Sequence, residues 1–458
     1  MNPPQDNDKG VHHMYPVYHQ SARALRKMLL ENQITCESLA KIYIDRISSI
    51  GGKDGLNAVA ELDETALTQA RELDKNGDRS LPLFGLPILI KDNIDVKGLH
   101  TTAGSVSLSD HIAHKDAPVV ARLRAKGAVI LGKANMTEFA NYMTDGLPNG
   151  FSSRGGQVIN AYSVSKDPGG SSTGSAVAVS AGLCAAAIGT DTCFSIVGCA
   201  CENGVTGLKP QGGALPPDGI IPICFALDTA GPITRDFADA HLIYSALSEK
   251  TLPPLEESPV NTLRIAVNTF NREHVSKEQL SRYNRLFDAL KAEGACIEEI
   301  CQPSASEVRR AVMRYAFKHD LEAYLHASNA PKKTLSDIIS YYEEEPETRM
   351  PYGISVLQTA NEVASGNLDE IPYLDALKER EKLRASVTEQ LRNYDACVMT
   401  GHTDIMHTVN LPCVALRLCM AEDRTPRGII LYGADEERLH RAAAAIERLS
   451  PGAVPPAI

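Results

Sequence analysis

Residues 167–210 read DPGGSSTGSAVAVSAGLCAAAIGTDTCFSIVGCACENGVTGLKP, and this stretch decides the expected fold and chemistry. It holds two serines, Ser171 and Ser195, each among small residues. Upstream, LPILIKDNIDVKG (86–98) places Lys91 at the end of an apolar run. A lysine at the end of a buried strand is costly to keep charged, so its pKa is expected to fall until it can act as a base. Because a serine hydroxyl needs such a base, one lysine and two serines are enough for acyl transfer without a histidine.

Several further segments follow in a fixed order, and together they resemble the amidase signature family. The matching segments are FGLPILIKDNID, RLRAKGAVILGKANMTEFA, PGGSSTGSAVAVSAG, AAAIGTDTCFSI, GVTGLKP and FALDTAGPITRDFADA. Only residues 1–15 and about 250–370 lack a counterpart. The resemblance implies an α/β fold with a central mixed β-sheet covered by helices on both faces. It also implies a flexible tail (1–15) and one domain (16–458), with a signature core at about 80–245 and a helical insert at about 300–390.

Short apolar segments predict the strands of this sheet. We expect LPILIK, GAVILGK, AAAIGT and GLKP to form neighbouring core strands, since buried strands in such sheets are short and apolar. LRIAVN, DACVMT, LPCVALRL and GIILYG are predicted strands of the C-terminal part. The uncharged stretch 168–190 is interpreted as containing an internal core helix rather than a membrane span. Residues 304–350 are charged and Tyr-rich, which suggests a helical lid or a partner surface.

The resemblance also implies roles for individual residues. Lys91 would be the general base, Ser171 the bridging serine after a cis peptide bond, and Ser195 the nucleophile that forms an acyl-enzyme. Ser172 would support this network by hydrogen bonding. The oxyanion hole would be formed by the backbone N–H groups of Thr192, Cys193, Phe194 and Ser195. The implied reaction is hydrolysis of a linear carboxylic amide, with esters as side substrates and with neither a metal ion nor an organic cofactor.

The nucleophile segment departs from the family pattern, which is close to GTDTGGSIR. Here it reads GTDTCFSIV, so Cys193 and Phe194 replace two glycines and Val197 replaces an arginine. Phenylalanine is strained at positive φ, so we expect Phe194 to be extended and to shape the pocket floor. Loss of the arginine removes a cation that could hold a carboxylate, which disfavours small acidic substrates. An apolar acyl or aryl pocket is favoured instead, with Met136, Met143 and His402 as further candidate lining residues, together with the 304–360 insert.

Competing motifs carry less weight. GSSTG (170–174) fits the nucleophile elbow, but the polar AYSVSKDP before it is not the buried strand that the elbow requires. SVSK (163–166) fits S-x-x-K, but no S-D-N or K-T-G follows. Two further clusters lack zinc-site spacing and are interpreted as buried thiols and as a polar loop near the pocket. Their members are Cys193, Cys199 and Cys201, and His402, Asp404 and His407.

Two alternative functions stay open at this point. The first is the glutaminase subunit of a tRNA-dependent amidotransferase complex, which shares the triad. The second is an inactive binding protein with the same fold, in which the two serines would be ordinary loop or helix-cap residues.

Composition favours a cytoplasmic enzyme, and the family resemblance implies a small-molecule amide substrate. The 458-residue chain is 43% hydrophobic with a formal net charge of −11, and it has no Lys/Arg-rich run, which argues against a nucleic-acid partner. Eleven cysteines without paired spacing indicate reduced thiols. The polar start MNPPQDNDKG is not that of a signal peptide, and no membrane partner is expected. A homo-oligomer is compatible with these data.

Overall fold

The computed structural model describes residues 16–250, 252–255, 259–450, 452 and 454–458, so the predicted tail at 1–15 lies outside the described residues. The strands are β1 (Val59–Leu62), β2 (Pro87–Lys91), β3 (Val129–Ala134), β4 (Phe151–Ser152), β5 (Gly156–Gln157), β6 (Ala186–Asp191), β7 (Thr206–Lys209), β8 (Thr229–Thr234), β9 (Arg264–Asn268), β10 (Cys296–Ile300), β11 (Ala396–Met399), β12 (Cys413–Met420) and β13 (Pro426–Tyr432). The helices are α1 (Ala22–Leu30), α2 (Cys36–Arg46), α3 (Ala66–Asn76), α4 (Pro118–Ala125), α5 (Thr173–Ser180), α6 (Val197–Asn203), α7 (Phe237–Leu247), α8 (Lys277–Ala292), α9 (Ser306–Ala327), α10 (Leu335–Glu344), α11 (Pro346–Arg349), α12 (Ser355–Val363), α13 (Ile371–Leu391), α14 (Ile405–Thr408) and α15 (Glu436–Leu449).

Eleven strands form one mixed sheet, in the order β1-β3-β2-β6-β8-β7-β12-β13-β11-β9-β10. Strand β2 pairs in parallel with β3 and β6, and β9 pairs in parallel with β10 and β11. The remaining ladders of this sheet are antiparallel. The predicted strands are present, but the expected neighbours differ in one place. GLKP forms β7, and β8 lies between it and β6 because the chain returns through the Thr229–Thr234 segment.

Strands β2 and β6 bring the two halves of the candidate site together. All five residues of β2 and all six of β6 are buried, as their apolar sequences predict. Ile88 pairs with Ala186 and Ile90 with Ile188 in a parallel ladder, so both strands end at the same edge of the sheet. Lys91, the last residue of β2, therefore lies beside the end of β6.

Helix α5 follows the Gly/Ser-rich loop and is buried on every side. Its sequence TGSAVAVS has small residues that allow this close packing. A Cβ on Gly174 would lie 2.4 Å from the carbonyl oxygens of both Ala58 and Asn135, so only glycine fits there. The uncharged stretch 168–190 thus holds a short core helix and strand β6, as interpreted from the sequence. Across the described parts of the chain, no helix combines the length and apolarity needed to cross a membrane.

The helices α9 to α13 follow one another between β10 and β11, and all of them except α11 contribute to a second apolar core. This core includes Phe317 and Leu321 of α9 and Tyr342 of α10. It also includes Met136 and Met143, which belong to the segment after β3. The helical segment is therefore packed onto the chain that leads from β3 to the Gly/Ser-rich loop.

Candidate active site

Lys91 is fully buried and directs its amino group into a small set of hydroxyl groups. Its Nζ lies 2.8 Å from Ser171 Oγ and 2.8 Å from Thr190 Oγ1. Burial lowers the pKa of Lys91 to about 7, because the charged form loses its hydration. The amino group is therefore partly neutral near pH 7 and can act as a base, which a lysine with an ordinary pKa could not do.

Ser171 connects this lysine to Ser195. Ser171 Oγ and Ser195 Oγ are hydrogen-bonded at 3.0 Å, and both side chains are buried. The Gly170–Ser171 peptide bond is cis, as the family resemblance implies. A Cβ on Gly170 would lie 2.3 Å from Asn149 Oδ1 and 2.8 Å from Thr137 Oγ1, so any larger residue here would displace these side chains. The three side chains expected from the sequence thus form one hydrogen-bonded chain.

Ser172 joins the serine loop to strand β6 and to the nucleophile segment. Its Oγ donates to the Thr190 carbonyl at 2.9 Å and accepts the Thr190 N–H at 3.2 Å. Its backbone N–H donates to the carbonyl of Ser195 at 3.1 Å. These bonds hold the segments that carry the two hydroxyl groups in one arrangement.

Asp191 binds the backbone that directly follows Ser195. One carboxylate oxygen accepts the N–H of Ile196 at 2.6 Å and that of Val197 at 3.3 Å, at the start of α6. The other oxygen lies 3.3 Å from His407 Nδ1. Burial opposes ionisation of Asp191, but His407, the buried Lys209 and the Ile196 N–H outweigh it and hold the pKa of the carboxyl below its usual range.

Phe194 corrects one expectation from the sequence. Its φ is +67°, so the predicted extended conformation is wrong. The backbone turns here because the Phe194 carbonyl accepts the N–H of Gly198 at 2.8 Å as α6 begins. The ring packs between His402 and His407, with centroid distances of 5.2 and 4.3 Å. These tertiary contacts offset the left-handed conformation, which costs about 1–2 kcal/mol for a residue with a Cβ.

Thr192 and Cys193 complete the candidate oxyanion segment. Thr192 Oγ1 donates to Asp228 Oδ1 at 2.5 Å, and Asp228 Oδ2 accepts the N–H groups of Ile223 and Cys224. Burial raises the pKa of Asp228 to about 7 and that of the Cys193 thiol to about 12. Cys193 is therefore a neutral thiol near pH 7.

The candidate pocket residues are not all in one place. Phe194 and His402 line a cavity of about 770 Å³, together with the exposed face of α6 and charged residues such as Lys166 and Arg427. Val197 is fully buried in the main core. Met136 and Met143 are buried in the second core. The pocket roles of Met136, Met143 and Val197 stay predictions.

A polar clamp joins the insert to this region and was not assigned from the sequence. Arg309 of α9 donates from Nε to Asp404 Oδ2 at 2.9 Å, and Asp404 also accepts from Ser304 Oγ and the Ala305 N–H. Asp404 lies between His402 and His407, which contact Phe194. The polar segment GHTDIMH was the only sequence signal for it. In the described part of the chain, no group of three or more His, Cys, Asp or Glu side chains could hold a metal ion.

Comparison with known proteins identifies the class and then the family. The structure is similar to that of native peptide amidase from Stenotrophomonas maltophilia, with a TM-score of 0.88, 30% identity, and coverage of 96% of this chain and 99% of that chain. A probable amidase of Arabidopsis thaliana is 34% identical over 404 residues, which are 82% of this chain and 78% of the relative. A glutamyl-tRNA(Gln) amidotransferase subunit of Deinococcus deserti is 30% identical over 403 residues, 82% of this chain and 80% of the relative. The protein is an amidohydrolase.

The family model described as Amidase matches residues 38–410, and the chain belongs to this family. The resemblance to amidase signature enzymes, the α/β fold and amide C–N hydrolysis are thereby confirmed.

Proposed function

We propose that the protein hydrolyses a carboxylic amide through an acyl-enzyme on Ser195, with Ser171 relaying protons to Lys91. One observation carries the proposal: the Lys91 Nζ–Ser171 Oγ–Ser195 Oγ chain, with separations of 2.8 and 3.0 Å. These are ordinary hydrogen-bond lengths along which protons can move in concert.

In the first half-reaction, neutral Lys91 accepts the Ser171 proton while Ser171 accepts the proton of Ser195. Ser195 Oγ forms a bond to the amide carbonyl carbon, and the carbonyl oxygen becomes an oxyanion. When the oxyanion collapses, the C–N bond breaks and the relayed proton returns to the leaving nitrogen. Water then attacks the ester of Ser195 by the same proton path, releasing the acid and restoring the serine hydroxyl.

The oxyanion is stabilised in this proposal by backbone N–H groups of residues 192–195. Within the described residues, the N–H groups of Cys193, Phe194 and Ser195 have no protein acceptor, whereas the next N–H, of Ile196, donates to Asp191. N–H groups that are held in place and have no protein acceptor can donate to the carbonyl oxygen as its negative charge develops during the reaction. Each such donor contributes about 3–4 kcal/mol in other acyl-transfer enzymes.

The substrate is proposed to be a small-molecule linear amide with an apolar or aromatic group near Phe194. Support comes from Phe194, which directly precedes Ser195 and is only partly buried, so that an apolar ring lies next to the nucleophile in the chain. The 770 Å³ cavity that this ring also lines carries no part of the argument, because Lys91, Ser171 and Ser195 are not among its lining residues. No nucleic-acid or membrane partner is proposed. A cytoplasmic location is proposed from the composition, and a homo-oligomeric state is compatible with it.

The test is intact mass after exposure to a fluorophosphonate that reacts with activated serines. We expect one adduct on the wild type and none on Ser195→Ala. Ser165→Ala, in the nearby segment 163–166, is the matched control and is expected to react like the wild type. An unmodified wild-type protein, or an adduct that persists in Ser195→Ala, contradicts the proposal.

A second candidate is the glutaminase subunit of an amidotransferase complex. It is supported by the 30% identity to the Deinococcus deserti protein over 82% of this chain. Ammonia release can be compared between glutamine and a panel of acetamide, benzamide and an amidated dipeptide. Turnover of glutamine alone favours the glutaminase role, and turnover of the other amides favours a free-standing amidase.

A further inference from the structure

His407 contacts the nucleophile segment at two separate points. Its Nδ1 lies 3.3 Å from Asp191 Oδ1, an electrostatic contact rather than a hydrogen bond, since neither atom has a hydrogen-bond partner among the described residues. Its ring meets the Phe194 ring at a centroid distance of 4.3 Å and an interplanar angle of 60°. The side chains of His407 and Asp191 are completely buried. One histidine, far away in the sequence, thus contacts two residues of the segment that leads to Ser195.

The Asp191 carboxylate needs a partner in this place. One of its oxygens is occupied by the N–H groups of Ile196 and Val197. Lys209 lies near enough to influence it, but its amino group donates to Asn410 and Leu411. Among the described residues, the one basic side chain within ion-pair distance of Asp191 is that of His407. Burial lowers the pKa of His407, so its ring is neutral near pH 7 and faces the carboxylate with the imidazole dipole rather than with a full charge.

The Phe194 conformation also needs an external contact. The residue is held at φ +67°, where a side chain is disfavoured, and His402 and His407 enclose its ring from two sides. If these rings withdraw, the backbone of residues 193–195 can relax to another conformation. The Cys193, Phe194 and Ser195 N–H groups would then point elsewhere.

We infer that His407 is a positioning residue: by holding the Asp191 carboxylate and the Phe194 ring, it fixes the backbone that aims Ser195 and the oxyanion N–H groups at the substrate carbonyl. It acts through these two residues and does not touch the substrate. The inference rests on the proposed function, in which Ser195 is the nucleophile.

The test uses the second-order rate of fluorophosphonate inactivation in the full-length protein. His407→Asn places an amide N–H where Nδ1 lies, His407→Gln extends it to where Nε2 lies, and His407→Leu has no donor. We expect His407→Leu to react about tenfold to a hundredfold more slowly, since misplacement of reacting groups by about 1 Å costs this much. His407→Asn is expected to react faster than His407→Gln.

His440→Gln is the matched control, because His440 is also buried but packs against Phe237, His241 and Tyr244. It is expected to lower the thermal midpoint and to leave the inactivation rate unchanged. If His407→Leu does not fold, the inactivation rates of His407→Asn and His407→Gln are compared instead. Equal rates in these two variants, or rates within about twofold of wild type in every folded variant, overturn the inference. An unreactive wild type contradicts the proposed function instead.

Discussion

The buried position of Lys91 predicts how the reactivity of Ser195 depends on pH. Burial lowers the pKa of Lys91 to about 7, and only the neutral amine can accept the Ser171 proton. Below the pKa, the neutral fraction falls about tenfold for each pH unit. The rate of fluorophosphonate inactivation should therefore be half-maximal near pH 7, about one tenth of its maximum at pH 6, and about one hundredth at pH 5.

The assay is the loss of activity, or the gain of adduct mass, against time at several fluorophosphonate concentrations from pH 5 to 9. Two other buried groups could imitate this profile, since burial also raises the pKa of Glu138 and that of Asp228 to about 7. The variants Glu138→Gln and Asp228→Asn remove these titrations one at a time. In both variants the midpoint should stay near pH 7.

A rate that is flat from pH 5 to 9 would refute the assignment of Lys91 as the base. A midpoint that shifts by more than about one pH unit in Glu138→Gln or Asp228→Asn would transfer the titration to that carboxyl group. In either case Lys91 is not the base that sets the pH profile, even if Ser195 is the nucleophile.

Three further predictions concern stability and the serine loop. In the unfolded chain Lys91 titrates near 10.5, whereas its folded pKa is about 7, so the unfolded state binds the extra proton between these values. The unfolding free energy of the wild type, relative to that of Lys91→Met, should therefore rise by about 1.4 kcal/mol per pH unit from pH 7 to 10. Urea denaturation measures it, and a difference between the two proteins that does not change with pH contradicts the prediction. Arg309→Leu leaves the Asp404 carboxylate buried without its cation and should lower the unfolding free energy by about 3–5 kcal/mol. Arg310 is exposed, so Arg310→Leu is the control and should change the unfolding free energy little. Equal effects in the two variants would contradict a stabilising role of the Arg309–Asp404 clamp. Gly170→Ala brings a Cβ within 2.3 Å of Asn149 Oδ1, so it should lower the unfolding free energy by about 1–3 kcal/mol and slow the modification of Ser195. Gly52→Ala is the control, because its Cβ would meet open space. Full reactivity of Ser195 in Gly170→Ala would contradict the tight fit.

The parts of the site that were predictable are those encoded by local sequence. The apolar runs before Lys91 and before Thr190 determine β2 and β6, and their parallel pairing places both ends at one edge. Small residues around Ser171 allow the loop to approach these ends. The Lys91–Ser171–Ser195 hydrogen bonds join the three residues that the family resemblance implies, and their catalytic roles stay predictions.

The parts that were not predictable depend on contacts between distant segments. The positive φ of Phe194 occurs at the turn into α6, where its ring contacts His402 and His407, and sequence alone does not reveal these contacts. Likewise, β8 intervenes between β6 and β7 because of pairing over long separations. The Arg309–Asp404 clamp joins the insert to the C-terminal part in the same way.

The most direct test of the central claim is peptide mapping of the fluorophosphonate adduct in the wild type and in Ser171→Ala. The account predicts a phosphonylated Ser195 in the wild type and a much slower modification of the same residue in Ser171→Ala, because the relay is broken. An adduct on Ser171, Ser172 or Cys193, or an equal rate of Ser195 modification in both proteins, would contradict the proposed Ser195–Ser171–Lys91 relay.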